Sequence, residues 1–232
     1  MLTDDLYSLF RSDIVDEEAP YLWTDVEVWN YMNDAYRMYF RLTGGIPDSL
    51  SSETQVNITA GSATSPVSPL ILKFNSAYLV SDGTELTIIN GVGIPKYLMS
   101  DYGYGAKRGV VDMTTQGPVR YMVTNVARDQ YGGTVRWLRV PAVSDGAQLD
   151  VYRLPVDTIT GTGFAFDELP LEHHEALLMW MKARAYGKQD AETYNRGKRD
   201  EFDKAFRSYC ADAKGEARRY KSHSMAVGYG GL

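Results

Sequence analysis

The sequence predicts an α+β fold: helices from the two ends of the chain form an antiparallel bundle, a β-rich, sandwich- or barrel-like insertion lies between them, and an extended C-terminal tail follows. Three observations predict it. Apolar residues recur at three- and four-residue steps up to Gly44 and Gly45. Gly, Pro, Ser and Thr then punctuate short runs of branched and aromatic residues as far as Leu154. Helical spacing returns beyond Phe166. The expected divisions are 1–48 and 166–214 for the helical halves, 49–165 for the β insertion and 215–232 for the tail.

Taken in order, Thr3 followed by Asp4 and Asp5 supplies an acceptor and two negative charges suited to a helix start, predicting a short helix over Leu2 to Ile14 with Leu6, Leu9 and Phe10 inward. Thr24 and Glu27 form a capping box flanked by the staple pair Trp23 and Val28, so a second helix begins at Asp25. Its expected apolar stripe is Val26, Trp29, Asn33, Tyr36 and Phe40, with Met32 and Tyr39 beside it, and Gly44 and Gly45 end it. In the β region, Tyr78 to Val80 and Glu85 to Ile89 flank Ser81-Asp82-Gly83-Thr84, whose Asp-Gly step predicts a tight hairpin. Further strands are expected at Arg120 to Ala127, Thr134 to Val140 and Gln148 to Leu154, all antiparallel, and at Asn57-Ile58-Thr59. Pro170 near a first turn opens a helix with Leu177, Trp180 and Met181 on one face up to Gly187. Asp190 is expected to cap a longer final helix with Tyr194, Phe202, Ala205, Phe206, Tyr209 and Ala213 inward.

Composition limits the function classes. With 44% apolar residues in 232, the chain can bury a sizeable core. A net charge of −6 argues against a general nucleic-acid binder, which gains affinity by displacing phosphate counterions with clustered Lys and Arg. The acidity is concentrated early: residues 1–60 carry 11 acidic and 3 basic residues. A single cysteine, Cys210, allows neither an intrachain disulfide nor a multi-thiolate metal site. The acidic N-terminus does not resemble a secretory signal, and no apolar run approaches the roughly 20 residues that span a bilayer, so a soluble chain without membrane contact is expected.

No residue pattern identifies an active site. His173, His174 and Glu175 are adjacent, whereas zinc hydrolases place two His one helical turn apart; a first-turn polar role is the plainer reading. The Gly91-Val92-Gly93 and Gly103-Tyr104-Gly105 segments lack the remainder of a phosphate loop. Asp167 and Glu168 are an ordinary acidic pair, and Cys210 has no base beside it. No catalytic residue, metal or cofactor is therefore expected. Two segments suit protein contacts instead. In the tail, Arg218, Arg219, Tyr220 and Lys221 precede Met225, Val227 and Tyr229, joining charge anchors to side chains that bury well at interfaces. In the loop from Ser100 to Gly109, Tyr102 and Tyr104 sit among glycines ahead of Lys107 and Arg108. A frayed terminus and a surface turn are the respective bland alternatives.

The arrangement resembles the head-to-tail adaptor proteins of tailed-phage necks. Trp23-Thr24-Asp25 with Trp29 to Tyr36, Leu169-Pro170 with the segment to Leu178, Ala185-Tyr186, and Phe202 with Phe206 carry the resemblance over about seventy residues. It implies a non-enzymatic virion protein made in the host bacterial cytoplasm and located in the neck. It further implies a dodecameric homo-oligomeric ring beneath the portal protein, joined to a tail or nozzle protein below, with a channel through which double-stranded DNA passes without specific binding. The C-terminal tail would grip the portal. A baseplate or tail component whose β domain binds another protein or a carbohydrate is the competing reading; a peptidoglycan hydrolase, motivated only by carboxylates in a phage context, is a third.

Overall fold

A computed structural model describes residues 1–90, 116–129, 132–190 and 193–221. The protein is mixed α+β and divides into two compact units: Met1–Gly45 with Pro155–Leu232, and Ile46–Leu154. The described part of the first holds four α-helices, α1 (Thr3–Asp13), α2 (Asp25–Thr43), α3 (Leu177–Tyr186) and α4 (Arg196–Lys221). The described part of the second holds ten strands.

Helix α2 begins as its capping chemistry requires. The Thr24 hydroxyl accepts the Glu27 amide at 3.3 Å while the Glu27 carboxylate accepts the Thr24 amide at 2.8 Å, so two of the donors orphaned at a helix start are satisfied. It stops at Gly44, whose φ of 111° places it in the left-handed region that a C-terminal cap favours. The buried face is Val28, Met32, Ala35, Tyr36, Tyr39 and Phe40. Val26 instead stands 69% exposed, because the inward stripe runs through Val28, Met32 and Tyr36, and a residue two positions before Val28 lies on the other side of the helix. Helix α1 buries Leu6 and Phe10 but not Leu9, and Thr3 does not cap it. Thr3 is the first helical residue; its hydroxyl donates to the Gly161 carbonyl at 3.1 Å and accepts the Phe164 amide at 3.1 Å. The Asp5 carboxylate serves the free Leu2 amide.

Those contacts tie the two chain segments of the helical unit together. Asn33, the single polar residue in the expected α2 stripe, spans both hydrogen-bonding groups of Ile159: it accepts the amide at 2.7 Å and donates to the carbonyl. Trp23 donates to the Ala185 carbonyl at 3.1 Å, and Trp180 donates to Asp34 at 2.8 Å. Tyr36 meets Phe40 and Phe166 edge-on at 5.4 and 5.5 Å, an arrangement that aromatic quadrupoles favour.

In the β unit, β10 (Asp145–Arg153) is the centre of one antiparallel sheet. Along one edge it pairs with β1 (Ile46–Asp48) and β2 (Gln55–Ile58), and along the other with β4 (Ile71–Leu79). A second sheet runs β3 (Thr64–Val67), β8 (Gly132–Trp137), β7 (Tyr121–Asp129), β5 (Thr87–Asn90). A short pair, β6 (Gln116–Gly117) with β9 (Val140–Pro141), completes the described strands. Residues of both sheets, among them Ile58, Leu86, Met122, Trp137 and Leu149, share one core. The buried Trp137 indole donates to the Ser65 hydroxyl at 3.0 Å, which donates onward to the Asn57 carbonyl at 2.6 Å. The described sheets form no closed barrel.

Two β expectations need correction. The sheet is not wholly antiparallel, since β5 and β7 run parallel, as do β6 and β9. The Asp82-Gly83 turn forms, with Gly83 at φ 72° and the Asp82 carboxylate accepting the Thr84 amide at 2.8 Å, but the hairpin around it does not extend. After the Tyr78–Glu85 bridge and the Leu86 amide bond to Ala77, the chain leaves β4 and joins β7 in the other sheet. Local turn chemistry set the reversal; burial of Leu86 and Ile89 set the partner.

The start and finish of the β unit lie side by side, with Ile46 opposite Arg153. Asp48 and Arg153 form an ion pair there, each side chain under a tenth exposed. Burial works to raise the Asp48 carboxyl, but the Ser51 hydroxyl, Arg153 and the Leu50 and Ser51 amides outweigh it and hold the group well below the usual carboxylate range. A depressed folded-state value means that the contribution is complete above the unfolded value near about 3.9 and is lost as pH falls through and below it. Asp48→Ala should therefore lower unfolding free energy by about 3 kcal/mol at pH 7. The gap from the wild-type chain should narrow below about pH 4, as read from urea midpoints across pH 2–7. Asn33→Ala should cost about 1–3 kcal/mol by stranding the Ile159 amide and carbonyl, measured the same way.

Candidate functional site

Helix α4 is the element whose construction points outward. Asp190 does not cap it: the Asp190 carbonyl accepts the Tyr194 amide, and the helix starts at Arg196, where the preceding Asn195 side chain accepts the Lys198 amide at 3.1 Å. The shift follows from packing. Tyr194 stands 47% exposed, and the inward stripe begins only at Phe202, which stacks on Tyr186 at 6.0 Å. Phe206 then packs against Trp180, Tyr209 reaches the Glu172 carbonyl and His173, and Cys210 and Ala213 close the buried set. Ala205, expected inward, is exposed.

Beyond Ala213 the helix outruns its core. Lys214 donates to the Leu42 carbonyl at 3.3 Å, a cation at the negative C-terminal end of α2. Space around Gly215 is open, and Glu216 and Ala217 are exposed. The helix nevertheless continues to Lys221, nearly two further turns. Arg218, Arg219, Tyr220 and Lys221, expected in an extended tail, therefore lie on helical backbone. Met225, Val227 and Tyr229 lie outside the described residues, as do Tyr102, Tyr104, Lys107 and Arg108 and both glycine-rich segments.

The residues tested for chemistry hold structural positions. His174 is buried, its Nε2 against the Leu169 carbonyl at 2.8 Å, and His173 pairs its Nδ1 with the Tyr209 hydroxyl at 2.8 Å while its ring lies by Tyr39. Glu168 accepts the Val156 amide. Among the described residues no group of three His, Cys, Asp or Glu is placed to hold a metal ion, and no described helix is long and apolar enough to cross a membrane.

A cluster that sequence reasoning passed over fixes the other end of the helical unit. Arg11, 4% exposed, donates to Asp16, to the Trp23 carbonyl at 2.7 Å and to Asp25 at 2.7 Å, and its guanidinium lies 4.1 Å over the Tyr21 ring. Asp16 also accepts the Leu22 amide at 2.8 Å. The Tyr7 hydroxyl joins through Asp25 at 2.5 Å. A lone cation among eight carboxylates in residues 1–27 was the available signal.

The family model described as SU10 adaptor protein matches residues 1–227 of this chain. No curated protein matches it.

Cys210 offers a reporter for α4. It is the sole cysteine, 1% exposed, and burial pushes its thiol up to about 12. Because the thiolate is the reactive form, maleimide labelling of the native chain at pH 8 should be slower by about a hundredfold or more than in 8 M urea, since it must wait for local opening of the helix. Equal rates would mean that α4 does not pack as described.

Proposed function

This chain belongs to the SU10 adaptor protein family, a family of phage head-to-tail adaptors, and on that premise we propose that it assembles as a dodecameric ring beneath the portal protein in the virion neck. The ring joins the portal to a tail or nozzle protein and leaves a channel for DNA. The helical unit supplies the side-by-side packing of the ring, the β unit a body for further contacts, and the C-terminal segment from residue 215 the grip on the portal. Arg218, Arg219, Tyr220, Lys221, Met225, Val227 and Tyr229 are the anchors of that grip, and Tyr102, Tyr104, Lys107 and Arg108 a second contact loop.

The observation that carries the reading is α4. A helix whose backbone runs on for about two turns past Ala213 carries the basic segment Arg218 to Lys221 on helical backbone. The mildly acidic chain, at −6, suits a channel wall, because a surface without clustered cations releases no counterions from the duplex and does not retain it. The role is structural and needs no catalytic group.

Purified portal rings incubated with the full chain should acquire twelve copies, read by mass photometry. A chain ending at Lys214 should bind at least about tenfold more weakly, because the anchors are where alanine-scanning energies concentrate at interfaces. Unchanged binding would remove the grip from this segment. Gold labelling of virions distinguishes an adaptor from a baseplate component, since only the adaptor places label directly below the portal.

A further inference from the structure

The β unit has a seam that its described strands do not close. Strand β4 carries extra residues relative to β10: Asp150 faces Ser76 and Val151 faces Phe74, passing over Asn75, while Tyr152 faces Lys73 and Arg153 faces Ile71, passing over Leu72. Extra residues of this kind bend a strand and raise its twist. The edge of β4 away from β10 is used only near its end, where the Ala77 carbonyl accepts the Leu86 amide and the Leu79 amide reaches the Thr84 carbonyl. From Leu72 to Ser76 that edge makes no hydrogen bond among the described residues. Alternate residues of an antiparallel strand turn their N–H and C=O away from the partner, so a row of donors and acceptors stands open over about 17 Å.

The open edge borders a groove of about 490 Å³. Ile71, Phe74, Ile88, Thr124, Thr134 and Val135 help to line it, so it runs from β4 to the second sheet, whose last described strand is β5. Its floor is the apolar core of the unit: Val135 is 1% and Ile71 5% exposed, and Phe74 and Ile88 pack half-buried against them. Leu72 stands 40% exposed at the lip. Lysines commonly guard open strand edges, but the ammonium of Lys73 is directed onto the Tyr152 ring, 5.7 Å from its centre. A small ligand would fill the apolar floor and leave the main-chain groups unpaired. An extended polypeptide satisfies both, by hydrogen-bonding along β4 and setting every second side chain into the groove. The bends in β4 keep the seam short, which suits a short segment better than a long strand.

We propose that the seam between β4 and the second sheet accepts an extended apolar segment of a partner protein by strand addition. The inference goes beyond the ring reading and does not rest on it. Its probe is an acetylated, amidated heptapeptide, Lys-Val-Thr-Val-Thr-Val-Lys, titrated into the full-length, isotope-labelled chain. The peptide should shift the amide resonances of Leu72 to Ser76 and of Ile88, with a dissociation constant below about 1 mM. Methylating every second peptide nitrogen removes the donors along one edge and keeps the side chains. Of the two analogues so made, at least one should bind about tenfold more weakly. Leu72→Asp, at the exposed lip, should weaken binding of the parent peptide by a similar factor, because it sets an unpaired charge against the valine side. Absence of shifts at these amides overturns the proposal. So do two analogues that both bind like the parent, or a folded Leu72→Asp chain that binds like the wild type. Should that variant not fold, the analogues decide the matter on the wild-type chain. No arm contains portal rings, so a chain that takes the peptide yet ignores the portal sinks the adaptor reading and leaves the strand-addition site standing.

Discussion

An inserted unit must leave its host and return to it at one place, and the β1–β10 ladder meets that constraint. Ile46 and Arg153 face each other, and the Asp48–Arg153 ion pair locks the register beside them. A buried ion pair is a weak source of net stability, because desolvation offsets much of its attraction, but breaking it strands a charge. Its effect here is on register. A slip of one residue would put Asp48 out of reach of Arg153 and would turn Leu149 and Val151, both fully buried, toward the opposite face. Because β10 also carries β2 and β4, the pairing at its end fixes the sheet from which the rest of that unit is built.

The helical unit meets the complementary demand. Its two chain segments are separated in sequence by the whole β unit, so loop-closure entropy opposes their meeting and specific contacts must overcome it. Asn33 does so by spanning both polar groups of Ile159, and Thr3 by spanning Gly161 and Phe164. Each satisfies backbone groups of the other segment, and the Ile159 groups would otherwise be buried without a partner, which gives these contacts their specificity. The aromatic contacts of Tyr36 with Phe166 and of Trp180 with Phe206 supply the apolar burial around them.

What the sequence disclosed divides along physical lines. The Thr24–Glu27 box, the Gly44 stop and the Leu177–Trp180–Met181 face were legible because each depends on residues within one turn of one another. Thr3 was misread as a cap because its hydroxyl serves Gly161 and Phe164, which no local pattern announces. The reversal at Asp82-Gly83 was visible, whereas the departure of β5 to pair with β7 depends on a strand some thirty residues away. Pro155 to Ala165, grouped with the β insertion for its Gly and Thr content, lies in the helical unit through Asn33 and Thr3. Arg11 escaped notice as a site because a single cation among acids is informative only once Asp16 and Trp23 are folded onto it.

The C-terminal end was read as a tail because it is basic and has no core of its own, and its backbone is helical as far as Lys221. Starting a helix costs several fixed dihedrals for one hydrogen bond, whereas extending one adds a bond for each residue fixed. The turns after Ala213 inherit a nucleus already secured by Phe206 and Cys210, so they extend the helix at one hydrogen bond for each residue fixed. A helix sustained by propagation alone is close to balance between forming and fraying, and a partner that contacts one flank tips it. Docking through such a segment gives up less conformational entropy than ordering an extended tail would.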